Sequence, residues 1–163
     1  MGSDARPAAA DALTRAVVRE AVADDLPRLV EIERASFSDP WSATAFRSAL
    51  REERVQLLVA TLENVVAGYA VWWCVAGEVE LANLAVAPDV RNRGIGGVLL
   101  DAAIERGRAE GCEWMHLEVR ESNLAGRALY SSRGFSIVGR RRRYYSHPVE
   151  DALLLRAHLV KEQ

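Results

Sequence analysis

The sequence predicts one mixed α/β domain. Three observations carry that expectation. Apolar residues recur with period two in some stretches and with helical spacing in others, and the two patterns alternate along the chain. A glycine-rich turn joins a strand-like run to a helix-like run near the middle. The chain has 163 residues, enough for one core and short of what two would need.

The elements follow in order. Residues 15–22 read as a strand. Asp24 then opens a helix, with Pro27 tolerated in its first turn and Leu26, Leu29, Val30, Glu33 and Phe37 recurring at helical spacing. Ser38-Asp39-Pro40-Trp41 interrupts it, and Ser42 caps a second, shorter helix that runs to about Glu53. Val55 to Leu62 and Val65 to Ala76 are apolar and β-branched, and Glu63-Asn64 turns one into the other as a hairpin. Val79 to Val86 is the next strand. A long helix, about Gly94 to Glu110, ends at Gly111. Trp114 to Arg120 alternates as a strand that puts Trp114, His116 and Glu118 on one face. A helix from Asn123 to Arg133 stops at Gly134, and residues 135–145 and 151–159 close the chain as a strand pair. The sheet is expected to be mostly antiparallel, with one strand–helix–strand crossover.

Composition narrows function. There are 21 basic and 23 acidic residues, a net charge of −2, and half of the residues are hydrophobic. No basic excess marks nucleic acid as a partner. The longest uncharged run, Val65 to Gly77, is too short to cross a bilayer. Residues 1–14 lack an apolar signal core and read as a flexible tail ahead of a domain spanning 15–163, so a cytoplasmic protein is expected. The two cysteines, Cys74 and Cys112, belong to no Cys-x-x-Cys pair and are expected to be inert thiols rather than metal ligands or an acyl-carrying nucleophile. No metal is expected.

Chemistry is written most densely at Arg91-Asn92-Arg93-Gly94-Ile95-Gly96-Gly97. Glycines at a strand-to-helix turn let backbone amides approach an anion. The helix N-terminus and the two arginines add positive charge, so the run suits a pyrophosphate. Leu99 stands where a dinucleotide fingerprint needs glycine, and the Gly-Lys-Ser/Thr of a nucleotide-triphosphate loop is missing.

The Arg-x-x-Gly-x-Gly pattern after Asn83-Leu84-Ala85-Val86-Ala87-Pro88, with Glu118-Val119-Arg120-Glu121-Ser122-Asn123, Ala128-Leu129-Tyr130 and Gly134-Phe135, resembles the GNAT acetyltransferase superfamily along residues 15–159. Asp39-Pro40-Trp41-Ser42, Leu117-Glu118-Val119-Arg120, Arg142-Arg143-Tyr144-Tyr145 and Glu150-Asp151-Ala152 are similar to the bacterial branch that acetylates the N-terminal alanine of small-subunit ribosomal protein eighteen. The resemblance implies acetyl-coenzyme A as co-substrate, a sheet whose central strands splay, and direct acetyl transfer in a ternary complex. It implies Glu118 as general base and Tyr130 as general acid. It places the cofactor on Leu84, Ala85 and Val86 (pantetheine and oxyanion), on Arg91, Asn92, Arg93, Gly94, Ile95, Gly96 and Gly97 (pyrophosphate) and on Asn123 (pantetheine amides). Trp41, Tyr144 and Tyr145 would line the acceptor, a peptide N-terminus. Gly97 departs from the family, where a bulkier or basic residue is common. A lysine or small-amine acetyltransferase, and a non-catalytic acyl-coenzyme A sensor, are the alternatives; a sensor would need neither Glu118 nor Tyr130.

Overall fold

Seven strands and four helices make up the computed structural model, which describes residues 16–160. The tail expected over residues 1–14 lies outside the described residues. In chain order the elements are β1 (Val17–Glu20), α1 (Leu26–Ser36), α2 (Ala43–Arg51), β2 (Val55–Leu62), β3 (Val65–Val75), β4 (Glu78–Val86), α3 (Ile95–Ala109), β5 (Trp114–Arg120), α4 (Leu124–Ser132), β6 (Ser136–Ser146) and β7 (Val149–His158). The sheet order is β1-β2-β3-β4-β5-β7-β6. Every neighbouring pair is antiparallel except β4 and β5, which α3 joins as the parallel crossover. This is the mixed, mostly antiparallel α/β sheet that the patterning predicts. Among the described residues no helix is long and apolar enough to cross a membrane.

Each face of the sheet has its own core. On one, Leu99, Leu100 and Ala103 of α3 pack on Trp72, Met115 and Leu155, and Tyr130 and Phe135 extend the cluster. On the other, Leu29 and Ile32 of α1 and Phe46 of α2 cover Val59, Tyr69, Val71 and Ala85. Alternation along β5 buries Met115, Leu117 and Val119 in the first core and turns Glu118 toward the opposite face.

The feature that positions the site is a fork. β4 and β5 are paired only from Glu78↔Trp114 to Leu81↔Leu117, while β4 stays paired to β3 as far as Val86 and β5 stays paired to β7 as far as Arg120. A register shift between Val71 and Trp72 against β4 adds the bulge that bends β4 away. The backbone of Leu84, Ala85 and Val86 therefore has no strand on its β5 side.

One local expectation is corrected, and one stretch of β6 departs from plain strand alternation. The carboxylate that organises the start of α1 is Asp25 rather than Asp24: it accepts from the Val22 amide at 2.8 Å and pairs both oxygens with Arg19 at 2.8 and 2.9 Å. The four arginines from Arg140 to Arg143 do not alternate evenly across β6. A register shift between Arg141 and Tyr145 and a left-handed Arg143 (φ 53°) break the alternation. Arg140 then reaches Glu121 and Asp151, and Arg141 reaches Glu118.

Candidate active site

The turn between β4 and α3 is shaped for an anion. Asn92 (φ 64°) and Gly94 (φ 80°) both take left-handed backbone, which glycine adopts without strain. The first intrahelical bond of α3 runs from Val98 to Gly94, so the amides of Ile95, Gly96 and Gly97 have no partner within the helix. A side chain at Gly96 would meet Leu129 Cδ2 at 3.2 Å and Leu84 and Val86 at 3.7 Å; glycine there lets α3 sit close to α4 and to the unpaired stretch of β4. Arg91 braces the turn, donating to the Val86 carbonyl at 3.0 Å and to Ser36 Oγ at 3.1 Å. At Gly97 a Cβ would run into the Arg133 guanidinium, which is held by Asp101 at 3.1 Å. The missing side chain at Gly97 thus leaves room for a cation delivered from the end of α4. Asn123 caps α4, its Oδ1 accepting from the Gly126 amide at 2.9 Å, which leaves its amide nitrogen for an outside acceptor.

Glu118 is the first residue of β5 beyond the fork. Its side chain is 28% exposed and Oε1 lies 3.4 Å from Arg141 Nε. The nearby Glu118 carboxylate first, then burial, raises the Tyr144 pKa. Tyr145 packs edge-on against Tyr144 at 5.0 Å and beneath the Arg120 guanidinium at 4.2 Å. Burial first, then the charge on Glu118, pushes Tyr145 up to about 12. Tyr130 belongs to the opposite core, set edge-on to Phe135 at 5.6 Å. Burial pushes its pKa above the phenol range, with Tyr145 adding to the shift. Glu118 and Tyr130 therefore come from opposite faces of the sheet, with Tyr145 electrostatically coupled to both. His116 Nε2 lies 3.2 Å from Glu78 Oε2 but off the hydrogen-bonding direction, since that nitrogen has no hydrogen-bond partner. The contact is an ionic one, made only when the ring is protonated.

The loop before α2 and the β6–β7 hairpin stand as two walls on either side of Arg120, two residues beyond Glu118 on β5. Trp41 is half-buried against Phe46, with ring centroids 5.4 Å apart, and its backbone amide donates to Glu33 Oε1 at 3.0 Å. The walls are tied together. Arg120 donates to Ser38 Oγ at 2.7 Å on one side and to the Pro148 carbonyl at 3.0 Å on the other, and His147 Nδ1 lies 3.2 Å from Asp39 Oδ1. Tyr144, 48% exposed, stands on the hairpin side.

Three contributors escaped the sequence reading. Glu33 is 1% exposed; Oε1 takes the Trp41 amide and the Asn83 amide at 2.8 Å, and Oε2 has no partner. Desolvation raises its pKa to about 7 against those two bonds. The signal was a carboxylate sitting in the apolar repeat of α1. Arg120 and Arg133 carried no such signal, because their partners are distant in sequence.

The chain matches the family model of the acetyltransferase (GNAT) family over residues 26–135. It is 38% identical over 133 residues to the [ribosomal protein bS18]-alanine N-acetyltransferase of Salmonella typhimurium, covering 80% of this chain and 89% of that one. The Escherichia coli protein of the same name is 37% identical over the same shares of the two chains. A crystal structure of the Escherichia coli enzyme superposes with a TM-score of 0.82 at 33% identity, covering 91% of this chain and 96% of the other.

Proposed function

The chain belongs to the GNAT acetyltransferase family, and from that premise we propose that it transfers the acetyl group of acetyl-coenzyme A to the N-terminal alanine of a ribosomal protein, with the residues of the fork as its active site. The observation that carries this reading is the position of Glu118 as the first residue beyond the paired stretch of β4 and β5, beside an aromatic wall and open to solvent.

The fit to acetyl-coenzyme A rests on two features of this chain. Leu84, Ala85 and Val86 offer an unpaired strand edge to a pantetheine arm, and the amides of Ile95, Gly96 and Gly97, with Arg91, Asn92, Arg93 and Gly94 around them, suit its pyrophosphate. Bound there, the co-substrate supplies an activated acetyl thioester. Asn123 offers its amide nitrogen to the pantetheine.

Glu118 takes a proton from the substrate α-ammonium, directly or through a water. The ordinary value for that group is about 7.7–8.0, so the step is only mildly uphill near neutrality. The freed amine attacks the thioester carbonyl, and a backbone amide of residues 84–86 stabilises charge on its oxygen. As the carbon–sulfur bond breaks to leave the new amide, the nitrogen gives its second proton to water, which balances the proton that the departing sulfur takes up. Tyr130 faces the departing sulfur. Its raised pKa keeps it protonated and makes it a weaker acid than a thiol, whose ordinary value is about 8.5. Its main contribution is therefore a hydrogen bond to the developing thiolate, with full transfer completed only as the phenol is reprotonated. No step calls for a covalent acyl-enzyme or a metal. A ribosomal acceptor implies a cytoplasmic enzyme.

The test uses matched peptides that begin with alanine and carry one internal lysine, with the terminus free or blocked. Mass spectrometry should find one acetyl group on the free terminus and none on the blocked peptide. Equal acetylation of lysine in the blocked peptide would move the assignment to a lysine or small-amine acceptor.

A further inference from the structure

Among the described residues, one group of three metal-ligating side chains comes together, and it lies apart from the acetyl-transfer site. Cys74, at the end of β3, and Cys112, just before β5, are 38 residues apart in sequence, yet the Cys112 thiol donates to Cys74 Sγ at 2.9 Å. The Glu110 carboxylate completes the group, its oxygen and the two sulfurs all within 4.8 Å of one another. Both cysteines are free, Cys74 half-buried and Cys112 buried, and the fold brings together what the sequence keeps apart.

Local structure builds the cluster. Glu110 caps the C-terminus of α3, and Gly111 follows in left-handed backbone (φ 80°). The Cys112 amide folds back to the Gly107 carbonyl at 2.9 Å, a helix-terminating pattern that sets the position of Cys112 relative to Glu110. Cys112 is 4% exposed. Cys74 and Glu110 border a surface cavity of about 320 Å³, also lined by Glu53, Arg54 and Gln56, so one side of the cluster is open to water.

We propose that Cys74, Cys112 and Glu110 form a binding site for a thiophilic divalent cation such as zinc, with water from the cavity as the fourth ligand. Two sulfurs and one carboxylate oxygen are a donor set that favours zinc over magnesium or calcium. Zinc–sulfur bonds of about 2.3 Å in a tetrahedron hold sulfurs roughly 3.8 Å apart. The sulfurs must therefore separate by a little under an ångström, which Cys74 can do at the cavity edge. The negative end of α3 faces the cluster and favours a cation. A disulfide would leave Glu110 without a part to play. The charges of Glu53 and Arg54, both on the cavity wall, offset each other. Glu118 is six positions beyond Cys112, up to roughly 20 Å along extended chain, so a cation here braces the junction of β3, α3 and β5 and does not join acetyl transfer.

The experiment titrates reduced, metal-free full-length protein with cobalt(II). One equivalent should produce a thiolate-to-cobalt band and the intense visible bands of tetrahedral cobalt, and zinc should bleach both. Cys74→Ser should abolish them in a chain whose circular dichroism and melting show it is folded. Cys74 is half-exposed, so this variant remains informative even where Cys112→Ser fails to fold. Glu110→Gln should weaken cobalt binding at least tenfold, and acetyl transfer should be unchanged in both Cys74→Ser and Glu110→Gln. Absence of the bands in excess cobalt, bands that survive Cys74→Ser, or unchanged affinity in Glu110→Gln would overturn the site. So would protein isolated without reductant that is two hydrogens lighter, which would mark a disulfide instead.

Discussion

The Asn83 amide donates to Glu33 Oε1 at 2.8 Å, joining α1 to β4 two residues beyond its last pair with β5, Leu81↔Leu117. Through its second bond, from the Trp41 amide, the same carboxylate holds the loop before α2. One buried acid thus spans both halves of the site while its other oxygen stays unpartnered.

That burial makes Glu33 a source of pH-dependent stability. Its pKa rises from 4.5 to about 7 on folding, so between those values the folded chain binds the proton more tightly than the unfolded chain. The stability it contributes is fully present below the unfolded value and lost as pH rises through about 7. A shift of that size corresponds to about 3 kcal/mol. Glu33→Gln cannot titrate. The stability of the native protein relative to this variant should fall by up to that amount across the window, measured by urea unfolding at several pH values. A difference that stays level would show that Glu33 does not titrate there.

Glu118→Gln keeps shape and removes basicity. Acetyl transfer should drop by about 10²–10⁴-fold near neutrality and recover partly at high pH, where the amine arrives neutral. Because Arg141 and Tyr144 both engage Glu118, the amide variant should still fold and bind coenzyme A. A deficit that does not shrink with rising pH would assign the proton to another group.

Tyr130→Phe removes a phenol that burial keeps protonated. Turnover should fall much more than coenzyme A affinity, and the pH profile should keep its shape, since Tyr130 does not ionise in the working range. Cys74→Ala and Cys112→Ala should turn over near the native rate apart from packing losses. Rapid-quench mass spectrometry that caught an acetyl-cysteine would place the chemistry on a thiol.

Legibility in the sequence tracked how local each cause was. Val55–Leu62 and Trp114–Arg120 match their expected bounds because alternation is visible within one strand. The glycine turn into α3 was equally legible, since Gly94 and the free helix amides are neighbours. The placement of the β6 arginines was not legible, because the left-handed Arg143 is set by its amide bonding to Asp151 Oδ1 at 2.9 Å, a partner on the next strand. The Cys74–Cys112 contact and the Arg120 tie between the walls depend on strand order, which no short window holds. At Gly97 the departure from the family pattern was visible, but the Arg133 side chain that occupies the space was not.

Cofactor affinity should depend on the glycines of the turn. Gly94→Val forces a branched side chain into left-handed backbone, and Gly96→Val pushes into Leu129 and Leu84, so both should displace the free amides at the start of α3 that we assign to the pyrophosphate. Calorimetry should show acetyl-coenzyme A binding weakened in variants that remain folded. Unchanged affinity in both would remove this assignment.

The acceptor cleft should discriminate by the size of the first residue. Tyr144 and Tyr145 brace each other edge-on at 5.0 Å. Arg120 lies over Tyr145 at 4.2 Å and reaches Ser38 in the opposite loop at 2.7 Å, so the hairpin wall and the Trp41 wall cannot part without breaking that bridge. A larger first side chain must then either open the bridge or bind askew. Poor fit of even one extra methylene-sized group costs about 1–3 kcal/mol in such pockets, and leucine adds three carbons to alanine. An alanine-first peptide should therefore exceed a leucine-first peptide by at least roughly tenfold in kcat/KM. Arg120→Met keeps bulk beside Tyr145 but cannot reach Ser38. It should narrow that ratio, mainly through KM for the leucine peptide, while acetyl-coenzyme A binds as before. A native ratio near one would mean that the aromatic walls do not select the first residue. A ratio unchanged in Arg120→Met would mean that the bridge does not set the width of the cleft.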